Sequence, residues 1–232
     1  MANLSGYTIA FDLDGTLIET VGDLHRALNV VLASEGLPAA TVEEMRGYVG
    51  QGARALLIRA LGAHGLHPDS QKIDALTEAY IAEYATDIAG TSHPFPGLLE
   101  ALDTLQAWGA TLCVCTNKRT ELSVKLLTVL GLQHRFAAIV GGDGVKNRKP
   151  HPDHFLEAIR AAHGDPAKSA MVGDSINDVL SATAAGAPVA VYAYGYTDTA
   201  PDLLGADAVF TQFTDLPDLL VRLLDAQPTL RI

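Results

Sequence analysis

The chain reads as an α/β protein, a Rossmann-like parallel sheet core with an inserted α-helical cap. Three observations predict this. Short apolar or β-prone runs alternate with helical patterns over the later two thirds of the sequence. One long stretch after the first run carries helical patterns only. Acidic and polar residues recur where the apolar runs stop, and open parallel sheets place their binding crevice beyond the carboxyl ends of their strands.

Tyr7–Phe11 is the first expected strand, short and largely apolar. Strands follow at Thr111–Cys115, Ala137–Val140, Ala170–Val172, Val189–Tyr192 and Ala208–Phe210. Helices are expected at Leu98–Trp108, Leu122–Leu130, Asp153–Ala162, Asn177–Ala185 and Leu216–Ala226. Within the first of these, Leu98, Leu102, Leu105 and Trp108 recur at helical spacing and make one apolar face. Gly109 and Gly131 stand where C-terminal caps belong. Strands and helices in this alternation favour a parallel sheet covered on both faces.

Between the first strand and residue 93 the alternation breaks. Val21–Glu35, Val42–Met45, Ala53–Leu61 and Ser70–Ala89 read as helices, separated by turn signals at Gly36-Leu37-Pro38 and His67-Pro68. A connection of roughly seventy residues is too long for a βα loop and reads as an inserted helical domain. The expected division is a core of residues 1–18 and 93–232 and a cap of residues 19–92, joined by hinge strands near Ile18–Thr20 and Gly90–His93. A lid is the functional expectation, since long inserted segments tend to carry function.

Composition narrows the partners. The 232 residues are 48% hydrophobic, enough for a substantial core, and the formal net charge of −11 repels nucleic acid and anionic membranes. No nucleic-acid or membrane partner is therefore expected. A small anionic substrate remains compatible, because charge near a metal can override the total. Cys113 and Cys115 fall on one face of a strand, a poor arrangement for a mutual disulfide, and read as apolar packing. With no signal core and no membrane-length apolar run, the expectation is a soluble cytoplasmic protein, monomer or homodimer.

Chemistry is suggested at four strand ends. Phe11-Asp12-Leu13-Asp14-Gly15-Thr16 places two acids one residue apart, a repulsion that a divalent metal would offset, and Gly15 permits a sharp turn. Cys115-Thr116-Asn117-Lys118 offers a hydroxyl and an amide suited to a phosphate oxygen beside helix N–H groups. In Asn147-Arg148-Lys149-Pro150-His151-Pro152, the prolines hold an extended loop that can aim Lys149. Gly173-Asp174-Ser175-Ile176-Asn177-Asp178 sets two carboxylates on one side of a strand-to-helix turn. Several carboxylates, a carbonyl and waters describe an octahedral Mg²⁺ site. Singly, an Asx turn, an N-cap and a solvated lysine account for each of these features. His25, His64, His67 and His151 show no ligand spacing.

In order and topology the four sites resemble motifs I to IV of the haloacid dehalogenase superfamily phosphatases, over essentially the whole chain. The run Tyr48-Val49-Gly50-Gln51-Gly52-Ala53-Arg54 and the late Tyr194-Gly195-Tyr196 are similar to the phosphoglycolate phosphatase subgroup. Glu19-Thr20 departs from the Asp-Ser often found there, which bears on the hinge. The resemblance implies Mg²⁺-dependent hydrolysis of a small phosphate monoester such as 2-phosphoglycolate. Asp12 would be nucleophile and Asp14 general acid/base; Lys149, Thr116 and the Asn117 N–H would stabilise the phosphoryl oxygens. Asp12, the Asp14 carbonyl and Asp174 would hold Mg²⁺, with Asp178 a ligand or a holder of bound water. Arg54, with Arg46 second, is the candidate for a substrate carboxylate. The rivals are a sugar-phosphate mutase or broader sugar-phosphate phosphatase and, in another class, a phospho-Asp receiver domain.

Overall fold

The computed structural model describes residues 2–226. Its first elements are strands β1 (Thr8–Phe11) and β2 (Ile18–Glu19) and helices α1 (Val21–Ser34), α2 (Val42–Tyr48), α3 (Ala53–Ala63) and α4 (Ser70–Thr86). Strand β3 (His93–Pro94) then leads to α5 (Leu98–Ala107), β4 (Thr111–Thr116), α6 (Thr120–Val129), β5 (Ala138–Gly141) and α7 (Pro152–Ala161). Last come β6 (Ser169–Gly173), α8 (Ile176–Ala184), β7 (Val189–Tyr192), β8 (Ala208–Phe210) and α9 (Leu216–Asp225).

Six strands form one parallel sheet in the order β5-β4-β1-β6-β7-β8. The chain builds outward from β1 through β4 to β5 and then crosses back to lay β6 on the other side of β1. That reversal makes the carboxyl ends of β1 and β6 the switch point, where a crevice opens. Residues two apart share a face: Ile9, Phe11, Leu112 and Val114 pack into one core, which also holds Leu98, Leu102, Leu105 and Leu220. Ala10, Cys113, Cys115 and Met171 pack into the other, with Phe155, Ile159 and Val179. Both cysteines are free and buried on the same face, as their spacing predicts.

Helix α1 buries Val21, Leu24, Ala27, Leu28, Val31 and Leu32, the stripe of a one-sided helix. It packs on α4 and α2, and α3 packs on α4. Helix α2 runs three residues beyond the expected Val42–Met45. Its start is set by a capping box, in which Thr41 Oγ1 accepts from Glu44 N and Thr41 N donates to Glu44 Oε2. Helix α6 begins two residues earlier than expected because Thr120 N and Oγ1 both donate to Asp143 Oδ1. The hinge pairing also sits later than the periodicity suggests: Ile18 pairs with Pro94 and Glu19 with His93, antiparallel. Residues 91 and 92 are held instead by Asp23, whose carboxylate accepts from Thr91 N, Ser92 N and Ser92 Oγ.

Candidate active site

Asp12 follows directly from β1, and its N–H continues the ladder to Val172 O at 2.9 Å. The chain then reverses: Gly15 N donates to Ile18 O, and Ile18 N to Leu13 O, both at 3.0 Å. Gly15 has φ +83°, and a Cβ there would stand 2.4 Å from Asp174 Oδ2. Both the left-handed backbone and the close approach therefore require glycine. Asp12 joins the acids of β6 and α8, whereas the Asp14 carboxylate is taken up by Lys118 and Thr20.

Asp12, Asp174 and Asp178 are buried together, each offering an oxygen within 4.8 Å of the others. One ammonium stands among them. Lys149 Nζ donates to Asp178 Oδ1 at 2.6 Å and to Cys115 O at 2.7 Å, and lies 3.0 Å from Asp12 Oδ1. That Asp12 oxygen receives no well-aligned hydrogen bond although it is fully buried. Asp174 accepts from Thr16 Oγ1 at 3.1 Å and from Tyr196 N at 2.5 Å. Asp178 Oδ2 accepts from Ser175 N and Oγ and from Asp174 N, so this acid caps α8 as well as holding Lys149.

Burial pushes the Asp12 carboxyl up to about 6, with Lys149 opposing and Asp178 adding to the rise. Asp174 is held well above the usual carboxylate range by burial and then by Asp12 and Asp178. Burial alone would lower Lys149, but the carboxylates of Asp12 and Asp178 reverse this and raise it. Three acids facing one buried ammonium leave negative charge uncompensated in a region of low dielectric. An all-oxygen donor set with an unpartnered carboxylate oxygen fits a hard divalent cation. Asp12 has an unpartnered oxygen to give such an ion and each Asp174 oxygen accepts a single hydrogen bond, whereas Asp178 already accepts four, from Lys149, Asp174 N and Ser175 N and Oγ.

The other expected residues divide. Thr116 ends β4 beside the acids and is buried. Asn117 Nδ2 donates to Gly50 O at 2.9 Å and to Lys149 O at 3.0 Å, tying the α2–α3 loop to the lysine loop. Arg54 borders the cavity, but its Nε donates to Asp74 Oδ1 at 2.7 Å and an Nη to Ser70 Oγ at 3.1 Å. Its charge is thus committed to α4. Arg46 bonds Glu19 Oε2 at 3.0 Å and lies over the Tyr196 ring.

Several residues escaped the sequence reading. Lys118 Nζ bonds both oxygens of Asp14, at 2.9 and 3.0 Å, and Thr20 Oγ1 donates to Asp14 Oδ1 at 2.8 Å. Its place two residues past a strand end was the available signal. Tyr196 caps α1, its hydroxyl accepting from Thr20 N and Val21 N and donating to Glu19. His154, fully buried, accepts from Lys149 N through Nδ1 at 3.2 Å and donates from Nε2 to Val140 O at 3.1 Å. These partners define its neutral tautomer. A cavity of about 190 Å³ opens between the strand ends and the inserted helices, lined by Asp12, Asp14, Thr116, Lys118, Tyr80 and Tyr84 among others.

Residues 9–192 match the family model described as haloacid dehalogenase-like hydrolase. The chain is 44% identical over 226 residues to a phosphoglycolate phosphatase of Caulobacter vibrioides, covering 97% of this chain and 95% of that one. It is 44% identical over 210 residues to a phosphoglycolate phosphatase of Agrobacterium fabrum, 90% of each. A crystal structure from Haemophilus somnus, described as a predicted phosphoglycolate phosphatase, superposes with a TM-score of 0.86 at 29% identity, covering 94% of this chain and 99% of its own. The chain belongs to the haloacid dehalogenase-like hydrolases.

Proposed function

We propose that this protein is a Mg²⁺-dependent phosphatase that hydrolyses 2-phosphoglycolate, a small phosphate monoester, through an aspartyl-phosphate at Asp12. The observation that carries the reading is the Asp12 carboxylate. It is buried beside Asp174 and Lys149, one oxygen lacks an aligned donor, and Thr116 lines the same cavity. The substrate is suggested by the relatives described as phosphoglycolate phosphatases. A cavity of about 190 Å³ agrees, being small against the ~300 Å³ at which ordinary ligand pockets begin. A sugar bisphosphate would fill it less readily.

Asp12 attacks phosphorus in line; the Asp12 O–P bond forms as the ester P–O bond breaks. The departing alkoxide takes a proton from Asp14, which gives glycolate. A water then attacks the same phosphorus, Asp14 takes its proton, and the Asp12–phosphorus bond breaks to release phosphate. Lys149 and Thr116 balance charge on the phosphoryl oxygens throughout. Mg²⁺ held by Asp12, Asp174 and the Asp14 carbonyl, with Asp178 behind them, would neutralise the acids and polarise the phosphoryl group. His154 holds the Lys149 backbone and thereby the aim of the ammonium.

Residues 19–92 act as the lid in this reading, closing over the substrate through the Asn117–Gly50 bond. No helix among the described residues is long and apolar enough to cross a membrane. We place the enzyme in the cytoplasm on its acidic charge and free cysteines. The reading is tested by phosphate release from 2-phosphoglycolate with and without Mg²⁺. Asp12→Asn is expected to abolish turnover, and borohydride reduction should trap a modified Asp12 in the wild type. Turnover near wild type in Asp12→Asn would remove the nucleophile.

A further inference from the structure

On the side formed by α4, the cavity wall changes character. Tyr80 and Tyr84, four residues apart, lie on one face of that helix and line the cavity. They are 2% and 1% exposed, and neither hydroxyl has a hydrogen-bond partner among the described residues. Buried phenols normally find a partner, because leaving the hydroxyl unpaired sacrifices its hydration. Two such hydroxyls on one wall of one cavity are therefore informative. Lys118 is their neighbour: its ammonium stands 4.3 Å from the centre of the Tyr84 ring and bonds Asp14. The wall thus offers two phenolic donors and a cation, and that cation's present partner is Asp14.

Donors without acceptors select an anion. The phosphoryl group is accounted for at Thr116 and Lys149, so the anion facing α4 belongs to the other end of the substrate. Competing cations are placed differently. Arg54 is paired with Asp74 and Arg119 with Glu78, while Arg148, which also borders the cavity, is exposed to solvent. We propose that Tyr80, Tyr84 and Lys118 form the subsite for a carboxylate carried next to the phosphate ester, and that they set the preference for a phosphorylated hydroxy acid over a neutral ester. This rests on the phosphatase reading above and deepens it. Lys118 bridges the two ends: once it turns to the substrate carboxylate, it no longer holds both oxygens of Asp14, and that side chain is free to face the leaving oxygen.

The test compares 2-phosphoglycolate with ethyl phosphate, of similar length but without the carboxylate, as kcat/KM ratios in Mg²⁺. The wild type is expected to prefer phosphoglycolate. Tyr80→Phe and Tyr84→Phe should each lower that preference about tenfold, the usual effect of one hydrogen bond to a charged group, and Lys118→Met should lower it further. Equal losses on both esters would reduce the phenols to packing and overturn the subsite. So would loss of the preference in Arg148→Gln with retention in both tyrosine variants. A second measurement does not depend on turnover: calorimetric binding of 3-phosphonopropionate against propylphosphonate. The carboxylated phosphonate should bind more tightly to the wild type, with the gap narrowing in Tyr84→Phe; equal affinities in the wild type would sink the inference. Hydrolysis of neither ester would instead defeat the phosphatase reading, and the phosphonate comparison would still decide the subsite.

Discussion

The two walls of one cavity follow opposite rules. The wall at the strand ends is dense with charge, and most of its polar atoms are tied to named partners, as in Lys149 with Asp178 and Asp174 with Thr16. The wall on α4 carries two tyrosines, whose hydroxyls have no partner among the described residues. Charge pinned by fixed partners suits a reaction common to many substrates, because the transition-state charge always falls in the same place. Unpaired donors on an apolar face suit discrimination, because a ligand lacking the matching acceptor leaves them unsatisfied. On the proposed assignment, chemistry and selectivity are built from different materials on two walls of one cavity.

Removing the charge at the centre of the first wall should break the contrast most severely. Lys149→Met is expected to cut turnover of phosphoglycolate and ethyl phosphate alike, roughly a thousandfold. It should also lower stability by about 3–5 kcal/mol, since it strands Asp12 and Asp178 without their buried counter-charge. Urea unfolding and paired kinetics read both effects. A loss confined to phosphoglycolate would place Lys149 in recognition and erase the distinction between the walls.

A divalent cation should act on the same wall with a somewhat smaller effect. Mg²⁺ at about a hundredfold over its dissociation constant should stabilise the protein by about 2.7 kcal/mol, and Asp174→Asn should remove most of that gain. Tyr84→Phe should retain it. Thermal unfolding with and without Mg²⁺ checks this, and equal stabilisation of wild type and Asp174→Asn would move the metal elsewhere.

How legible each wall was in the sequence follows the same division. That Asp12, Asp14, Thr116, Asp174 and Asp178 meet was legible because each lies within about five residues of a strand's end, and a parallel sheet brings such ends together. Lys149, eight residues past β5, was read from the prolines that hold its loop. The alternation that reveals the sheet also revealed the break that inserts α1–α4. Arg54 was chosen for its charge and its place after a glycine turn. Its partners Asp74 and Ser70 are twenty and sixteen residues away on another helix, and nothing in local spacing announces them. Tyr80 and Tyr84 lie inside the expected helix Ser70–Ala89 with nothing in local spacing to single them out, and their unpaired hydroxyls arise from what α4 packs against. The second hinge strand falls at His93–Pro94, at the end of the expected Gly90–His93, since Asp23 holds residues 91 and 92 from across the fold.

His154 separates the walls by pH. Burial, and then the charge of Lys149, pushes this imidazole down to about 4. With a depressed folded pKa, the unfolded chain binds the proton first, so the stabilisation is complete above about pH 6.5 and is lost as pH falls toward 4. Between pH 7 and pH 5 the loss is about 2 kcal/mol from this group. Asp12 works in the opposite direction, because its raised folded pKa makes the folded chain the better proton binder over pH 4 to 6. The informative quantity is therefore the difference between wild type and His154→Asn, whose stability should fall less on acidification. Parallel pH profiles for the two proteins would show that the histidine does not titrate on unfolding.

The smallest effect should come from the rim. Arg119, from the chain just before α6, pairs with Glu78 of α4, linking the sheet side to the inserted helices across exposed surface. Exposed ion pairs contribute about 0–1 kcal/mol, so Glu78→Gln should barely change the unfolding midpoint. If the lid opens in each turnover, the pair stabilises only the closed form, and its removal should raise KM for phosphoglycolate roughly twofold while leaving kcat nearly unchanged. Salt supplies the control, because screening weakens an exposed pair but not the buried acids. Between low and high salt, KM of the wild type should rise toward that of Glu78→Gln, and the variant should respond less. An identical salt response in both would mean that Arg119 and Glu78 take no part in closure, leaving the Asn117–Gly50 bond and the α4 wall to hold the lid down.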